Sequence, residues 1–277
     1  MKFYQIGKFA SKLGVTHDLL KHYEKYGIIQ SKRQGDGGYR YYPYTQVPNI
    51  LSSKEFQNWG FSLREISTLL KGADVSDYYR ILGNRVLQME QEQTLKHRYL
   101  DSAKHLLSQV SQIKEGKFSG SWSIEEQESS YYLPHSSGTD FELIDINEHI
   151  LASWIEHLSI TSIATRVYQQ HPGSPYNRLS DGFLVSEADA QRFQIPLTDC
   201  LIRIPRRKYL IYHSELPTGS RDLQEVIDSI LREPFALIQK HCFSAKGDIY
   251  SKTLLKTQEE DRETIYRIVY IPLDIIE

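Results

Sequence analysis

Residues 15–40 read VTHDLLKHYEKYGIIQSKRQGDGGYR, and this stretch decides the fold. Its first half has the apolar spacing of a short helix, and the hydrophobic turn Gly27-Ile28-Ile29 follows it. Basic residues at 32–33 then precede a glycine-rich run, and glycine permits the positive φ that a tight hairpin needs. The stretch therefore predicts a helix followed by a two-stranded wing, with Gly35 and Gly37 in its turn.

A shorter apolar segment precedes this helix. Phe9 and Leu13 are spaced to share one helical face, and Gly14 is expected to end that helix. Thr16 stands where an N-cap is expected, because its hydroxyl would accept a hydrogen bond from an unpaired amide of the first turn. Two helices joined by a short turn predict a helix-turn-helix, whose second helix enters a DNA major groove. In that second helix, the apolar residues predicted to face inward are Leu19, Leu20 and Tyr23.

Two more helices are predicted after the wing. The first covers roughly residues 45–59, although Pro48 and the pair Ser52-Ser53 are expected to interrupt it. Ser62 is expected to cap the second helix, which completes a smaller second wing. Residues 1–73 are therefore predicted to form a winged helix-turn-helix domain.

Charge is distributed unevenly along the 277 residues. Residues 1–72 carry 11 Lys and Arg against 5 Asp and Glu, whereas residues 118–277 carry 15 against 24. A phosphate backbone attracts the first part and repels the second, so we expect residues 1–72 to hold any nucleic acid.

Composition argues against several classes of protein. No run approaches the ~18 apolar residues of a membrane helix, and no signal-peptide core is present, so a cytoplasmic protein without a membrane partner is expected. Cys200 and Cys242 lie far apart, which disfavours a disulfide framework or a cysteine-rich metal site. Neither HExxH nor GxSxG occurs, so we predict no catalytic residues, no cofactor and no enzyme activity.

Residues 74–115 are predicted to form one long helix. Its apolar positions alternate at spacings of four and three, which is the a/d seam of a coiled coil. This seam comprises Leu82, Val86, Met89, Gln93, Lys96, Leu100, Ala103, Leu107 and Val110. Such a rod cannot bury its stripe alone, so an antiparallel homodimer is favoured over docking of the stripe on the C-terminal domain.

Residues 116–121 contain glycine and serine and are predicted to be a linker. In the domain that follows, residues 122–277, the order strand, helix, strand, strand occurs twice. The first repeat is predicted at 127–133, 141–158, 160–168 and 182–185, and the second at 208–214, 221–239, 248–255 and 264–272. Two such units would pack their sheets around a shared cleft, where small molecules bind. The predicted fold class is α+β.

Residues 3–72 resemble the DNA-binding domain of the MerR family of transcription regulators. The matching segments are IGKFA at 6–10, LGVT at 13–16, LKHYE at 20–24, GII at 27–29, Arg33, GYRYY at 38–42 and GFSLREI at 60–66. Lys21 stands in place of a family arginine, and Ser31 in place of a usual proline. By this resemblance, the DNA-contacting residues would be Thr16, His17, Asp18, Lys21, His22, Tyr23, Arg33, Tyr39, Arg40, Tyr41, Tyr42 and Ser62.

The C-terminal part resembles the GyrI-like effector-binding domain of multidrug-sensing MerR proteins, chiefly through residues 266–273. Residues two apart share one face of a strand, so Tyr266, Ile268 and Tyr270 are expected to face the effector together. The family usually has glutamate at position 268, so isoleucine favours a neutral or differently oriented effector, unless Glu142, Glu148 or Glu215 supplies an acid. The predicted effector site consists of Trp154, Tyr168, Phe183, Tyr212, Tyr250, Tyr266, Ile268 and Tyr270.

These resemblances imply a homodimeric transcription activator that binds a pseudo-palindromic promoter. When a small, lipophilic aromatic effector binds, the regulator would distort the DNA so that RNA polymerase engages the promoter. Two alternatives remain open: the same DNA module with a C-terminal domain that binds a protein partner, or with one that hydrolyses a small molecule.

Overall fold

The structure, a computed structural model, describes residues 2–34, 38–138, 146–217, 223–259 and 262–274. The chain forms two compact units, residues 1–94 and 95–277. The first is mainly helical and the second is built on a large sheet, so the α+β prediction is confirmed.

The first unit has the predicted helix-turn-helix and wing. Its elements are β1 (Phe3–Gln5), α1 (Ile6–Leu13), α2 (His17–Lys25), β2 (Lys32–Gln34), β3 (Tyr39–Pro43), a 3-10 turn (Tyr44–Gln46), α3 (Val47–Asn58), α4 (Leu63–Leu70) and the first half of α5 (Val75–Lys114). The three strands form an antiparallel sheet in the order β1-β3-β2. The predicted turn residues Gly35 and Gly37 lie outside the described residues.

The predicted helix ends are confirmed. Gly14 ends α1 with a φ of 64°, a left-handed conformation that glycine adopts without a Cβ penalty. The Thr16 hydroxyl accepts a hydrogen bond from the Leu19 amide at 3.1 Å, which caps α2. Ser62 caps α4 in a reciprocal capping box with Glu65.

The predicted interruption of α3 is wrong, because the helix runs unbroken from Val47 to Asn58. Pro48 lies in the first turn, where a missing amide hydrogen costs no intrahelical bond. Ser53 is fully buried, and its hydroxyl donates to the Asn49 carbonyl at 2.6 Å, so its polar atom is satisfied inside the core.

Helix α5 carries two stripes along its length. The predicted coiled-coil stripe is exposed from Val86 to Val110 and partly buried only at Leu82, which packs on the core of the first unit. A second stripe, displaced by one residue, packs within the second unit through Leu95, Tyr99 and Ile113. The stripe that docks on the C-terminal domain is therefore not the predicted seam.

The second unit has one eight-stranded antiparallel sheet in the order β4-β9-β11-β10-β6-β7-β5-β8. The strands are β4 (Trp122–Gln127), β5 (Ser130–Pro134), β6 (Ser162–Gln169), β7 (Tyr176–Ser186), β8 (Ile202–Ile204), β9 (Arg207–Pro217), β10 (Ile249–Glu259) and β11 (Arg262–Pro272). The helices are α6 (Glu148–Glu156), α7 (Glu187–Arg192) and α8 (Leu223–Lys240).

The predicted duplication is present as β5-α6-β6-β7 and β9-α8-β10-β11. Within each repeat the strands lie in the order first, third, second, and the second strands, β6 and β10, pair with each other. The repeats therefore join edge to edge in one sheet, which corrects the expectation of two sheets facing across a cleft. The single strand predicted at 127–133 is two strands, because β4 ends at Gln127 and β5 begins at Ser130.

Alternating residues give this sheet two faces. On the helix face, Val269 and Ile271 pack with residues of α8 such as Ile227 and Ile230. The other face, which we call the groove face, holds the buried cluster Phe118, Tyr132, Ala164, Leu184, Ile204, Tyr209, Ile211, Tyr250 and Ile268.

The predicted linker at 116–121 is anchored to the groove face. Phe118 is 1% exposed, and its ring meets the rings of His213 at 4.8 Å and Tyr266 at 5.9 Å. The Gly120 amide donates to the His213 carbonyl at 2.9 Å. These contacts tie the end of α5 to the sheet, so the segment is not a free spacer.

We expect Phe118→Ala to destabilise the second unit by about 3 kcal/mol or more, because truncation of a buried aromatic ring leaves a cavity. Scanning calorimetry of the full chain measures this as a lower melting temperature. Leu197→Ala, at a side chain that is 51% exposed, is the matched control and should change stability by less than about 0.5 kcal/mol. Equal effects of the two substitutions would show that the segment is loosely held.

Candidate functional site

The outward face of α2 is polar. Thr16, His17, Asp18, Lys21 and His22 are all exposed, as predicted. Lys21 Nζ contacts Asp18 Oδ1 at 3.0 Å, and this hydrogen bond lowers the pKa of the Asp18 carboxyl. Both side chains are exposed, so the ion pair is weak and Lys21 is free to exchange it for another anion.

The wing adds an exposed basic edge beside this helix. Lys32 and Arg33 on β2 are exposed, and Lys32 Nζ lies 5.2 Å from the centre of the Phe3 ring. Tyr39, at the start of β3, is 58% exposed. Their cations and hydroxyl suit phosphate oxygens, which are the commonest protein contacts on DNA.

A partly buried carboxylate joins α2 to the wing. Glu24 accepts hydrogen bonds from Arg40 Nε at 2.9 Å and from the Tyr42 hydroxyl at 3.2 Å. Its other oxygen accepts from the Ser31 hydroxyl. Ser31, which stands in place of the family proline, thus binds the carboxylate instead of restricting the backbone. We call these four residues the Glu24 cluster.

The Glu24 cluster perturbs two ionisable groups. Burial by itself raises the pKa of Glu24, but the hydrogen bonds from Ser31, Tyr42 and Arg40 outweigh it and leave the pKa below its ordinary value. Burial, together with the negative charge of Glu24, raises the pKa of the Tyr42 phenol to about 12. Glu24 is therefore ionised and Tyr42 neutral at neutral pH.

Several residues predicted to contact DNA have side chains that are buried or engaged within the first unit instead. Tyr23 and Tyr42 are fully buried, with the Tyr23 hydroxyl donating to Gln57 Oε1 at 2.7 Å, because both rings pack in the helical core. Arg40 is held by Glu24, and Tyr41 is partly buried. Ser62 is exposed but its hydroxyl belongs to the α4 cap.

Sequence reasoning missed the role of Glu24. Its signal was present, since an acid in the last turns of α2 precedes a strand with Arg40 and Tyr42 two residues apart. Residues two apart on a strand share a face, so both would be able to reach one carboxylate.

A groove of about 840 Å³ lies on the groove face of the second unit, between residues 98–106 of α5 and strands β7, β10 and β11. Ile268 and Tyr270 both line it, so these two residues face the same cavity. Tyr250 lines a smaller cavity of about 60 Å³ that shares Lys252 and Tyr270 with the groove. Tyr266 lies on the same face and packs against Phe118.

Other predicted effector residues belong to the packed core. Trp154 and Phe183 pack under α6 on the helix face, where Trp154 Nε1 donates to the Pro196 carbonyl at 2.9 Å. Tyr212 packs against α8 and donates to Glu233 Oε2 at 2.7 Å. Tyr168 stacks against the Arg166 guanidinium at 4.0 Å. Strand alternation places Phe183 and Tyr212 away from the groove, and Trp154 lies on α6, which a list of aromatic residues could not reveal.

The acids proposed to replace the family glutamate are not in the groove. Glu148 and Glu215 are exposed and do not line it, and Glu142 lies outside the described residues. The groove is lined by other charged residues that sequence reasoning did not single out: the acids Asp101, Glu126, Glu128 and Asp189 and the bases Arg98 and Lys252. Arg98 Nη2 pairs with Asp189 Oδ2 at 2.7 Å, and Lys252 Nζ lies 5.5 Å from the centre of the Tyr270 ring.

The described residues offer neither a metal-ligating cluster nor a membrane-spanning helix. In the described ranges, no three side chains of His, Cys, Asp or Glu come together as a metal site would require. Cys200 and Cys242 are free thiols. Over the same residues, no helix combines the length and apolarity needed to cross a bilayer.

Comparison with known proteins identifies the type of the first unit. Residues 4–73 match the family model of the MerR HTH regulatory proteins. The chain is 38% identical over 74 residues to the mercuric resistance operon regulatory protein of Bacillus cereus, which covers 27% of this chain and 55% of that protein. It is 26% identical over 91 residues to the multidrug-efflux transporter 2 regulator of Bacillus subtilis (strain 168), covering 33% of each chain.

Among solved structures, the EcmrR-DNA complex in a cryo-EM structure matches 99% of this chain and 100% of that chain, at 16% identity and a TM-score of 0.38. The chain spans about half of the first relative's length and a third of the second's. Residues 4–73 of the first unit thus match the MerR type of helix-turn-helix domain.

We expect Glu24→Gln to destabilise the first unit by about 2 kcal/mol, because Arg40 loses its partly buried counter-ion. Since folding lowers the pKa of Glu24, its ionic contribution is complete above the ordinary value of 4.5 and is lost as pH falls through the folded value. Unfolding in urea at several pH values measures both effects. In the Glu24→Gln variant, the free energy of unfolding should fall less steeply as pH drops below 4.5 than it does in the wild-type protein. Glu55→Gln, at an exposed acid of α3, is the control and should show the same loss of stability below pH 4.5 as the wild-type protein.

Proposed function

We propose that this chain, whose N-terminal domain is of the MerR type, is a transcription regulator that binds a pseudo-palindromic promoter as a homodimer and responds to a small organic effector. The observation that carries the proposal is the exposed polar face of α2 beside the basic edge of the wing. The curated relatives named above are regulators of resistance or efflux genes, which supports the same class of function.

DNA binding would use α2 for the major groove and the wing for the backbone. His17, Lys21 and His22 project from the exposed face of α2 and would approach base edges and phosphates. Lys32, Arg33 and Tyr39 would contact phosphates on either side. The Glu24 cluster would hold the wing at a fixed angle to α2, so that both surfaces meet the duplex together.

Dimerisation would use the exposed stripe of α5. Leu100 and Leu107 are 49% and 69% exposed, and Val86 is 53% exposed. Three large apolar side chains at heptad-compatible spacing on one helix favour pairing with an equivalent helix, which we infer to run antiparallel in a second copy. A symmetric dimer presents two recognition helices and therefore favours an operator with two-fold symmetry.

Effector response would start in the groove of the second unit. A lipophilic aromatic molecule would lie against Ile268 and Tyr270, and α5 forms one wall of that groove. If the effector binds one α5 arrangement more tightly than another, it shifts the dimer toward that geometry. The bound geometry would distort the promoter so that RNA polymerase engages it. Likeness to a multidrug-efflux regulator supports an organic effector.

The DNA proposal predicts that the double substitution Lys32→Ala/Arg33→Ala weakens binding on the order of tenfold or more and lowers the salt slope by about 2, because two phosphate contacts are lost. Fluorescence anisotropy, with an operator selected from random duplexes, measures both at several salt concentrations. Selection should return an inverted repeat.

Two variants control for this experiment. Lys104→Ala removes an exposed cation of α5 in the second unit and should leave the slope unchanged. Tyr23→Phe removes only the buried hydrogen bond to Gln57, so it should cost about 1 kcal/mol of stability without changing affinity. A salt slope that survives loss of Lys32 and Arg33 would exclude the wing from the DNA interface.

The dimer proposal predicts that Leu107→Glu converts the protein to monomers at micromolar concentration, since it buries a charge in the paired stripe. Sedimentation velocity distinguishes the two states. Ser108→Glu adds the same charge at the next residue, which is exposed and off the stripe, and should leave the dimer intact. Dimers of the Leu107 variant would place the interface elsewhere.

A further inference from the structure

The strand register places a lysine beside the position that faces the effector. Lys252 on β10 lies directly opposite Ile268 on the neighbouring strand β11. The resembled effector domains usually have glutamate at position 268, whereas this chain has isoleucine there, and the structure places a basic side chain on the neighbouring strand. The cross-strand neighbour of position 268 on β10 is therefore basic.

Lys252 is the cation of the groove without a carboxylate partner. It lines both the groove and the smaller cavity, and its ammonium faces the Tyr270 ring at 5.5 Å. Within the described parts of the chain, no carboxylate oxygen lies within 4.0 Å of its Nζ. Burial lowers the pKa of the Lys252 ammonium, which means that water does not fully solvate it. A cation in that setting gains from a bound anion.

The other charged groups around the groove are accounted for. Arg98 and Asp189 pair with each other at 2.7 Å. Glu126 and Glu128 are held by Arg206, at 2.7 and 3.5 Å. Two further groups face the groove from α5 and are exposed, Asp101 and His105. The two charged groups that act on the Lys252 ammonium are the cation Arg98 and the anion Asp189. Together with Lys252, they make two positive charges and one negative charge.

The remaining walls near Lys252 are apolar and aromatic. Leu184, Leu254, Ile268 and Tyr270 line the groove around it. An occupant would therefore have a hydrophobic body and a single acidic group. Its body would take the place of water against the apolar walls, while its acid would approach Lys252.

We propose that the effector is a hydrophobic organic anion, such as an aromatic carboxylate or sulfonate, whose acidic group pairs with Lys252. This inference rests on the proposed role of the groove as the effector site. It reverses the charge preference of a pocket that has glutamate at position 268.

The test uses two ions of the same shape and opposite charge, tetraphenylborate and tetraphenylphosphonium, titrated into the full-length protein by calorimetry in sodium buffer. The wild-type protein should bind the borate at least tenfold more tightly than the phosphonium. Lys252→Met keeps the apolar stem without the charge, and should weaken borate binding about tenfold while phosphonium binding stays equal or tightens. Lys252→Arg should retain the preference for the borate.

Two further variants make the result specific. Lys117→Met removes a cation whose side chain is 72% exposed and should change neither affinity. Ile268→Glu places a carboxylate opposite Lys252 and should bring phosphonium binding at least level with borate binding. Melting curves establish that each variant is folded.

The outcomes separate this inference from the function on which it rests. Equal binding of the two ions, or borate binding that survives Lys252→Met, would overturn the anion preference while leaving an effector groove in place. Absence of binding by both ions would overturn the anion site and the effector groove together. Loss of borate binding in the Lys252 variant alone would support both.

Discussion

Helix α5 carries two side-chain stripes one residue apart, and a helix cannot bury both against the same neighbour. Since successive residues are about 100° apart around a helix, the stripes face different directions. One stripe, with Leu95, Tyr99 and Ile113, packs within the second unit. The other, with Leu100 and Leu107, is exposed and needs a partner of the same periodicity. The packed stripe also positions residues 98–106 as a wall of the groove. A ligand in the groove therefore touches the same helix that would hold the dimer together.

The Glu24 cluster plays the corresponding part in the first unit. A short helix and a short hairpin have little apolar surface with which to fix their mutual angle. Glu24 replaces that missing surface with three hydrogen bonds from the loop and the wing. Charge-assisted hydrogen bonds are directional, so they restrain orientation as well as distance. The exposed residues on either side, Lys21 and Arg33, would consequently reach a duplex from a preset geometry.

The second unit shows how a duplicated sheet can acquire an asymmetric site. Its repeats pair through β6 and β10, which places equivalent strands next to each other. Lys252 lies on β10 opposite Ala164 of β6, so its cross-strand neighbour on β6 is a small, uncharged residue. Lys252 therefore has an uncharged residue directly opposite it on each neighbouring strand, Ala164 and Ile268.

The sequence by itself determined the features that depend on near neighbours: the helix caps at Gly14, Thr16 and Ser62, the spacing of the α5 seam, and the strand–helix–strand–strand repeat. These follow from local geometry and periodicity, which a linear pattern records. Only the tertiary structure decided which tyrosine of the wing is buried, because Tyr39 and Tyr42 offer the same ring and hydroxyl to core or solvent. It also decided that Lys252 lies beside Ile268, because strand register is set by the packing of the whole sheet. The charged residues that line the groove are distant from one another in the chain, so composition could not predict which of them meet there.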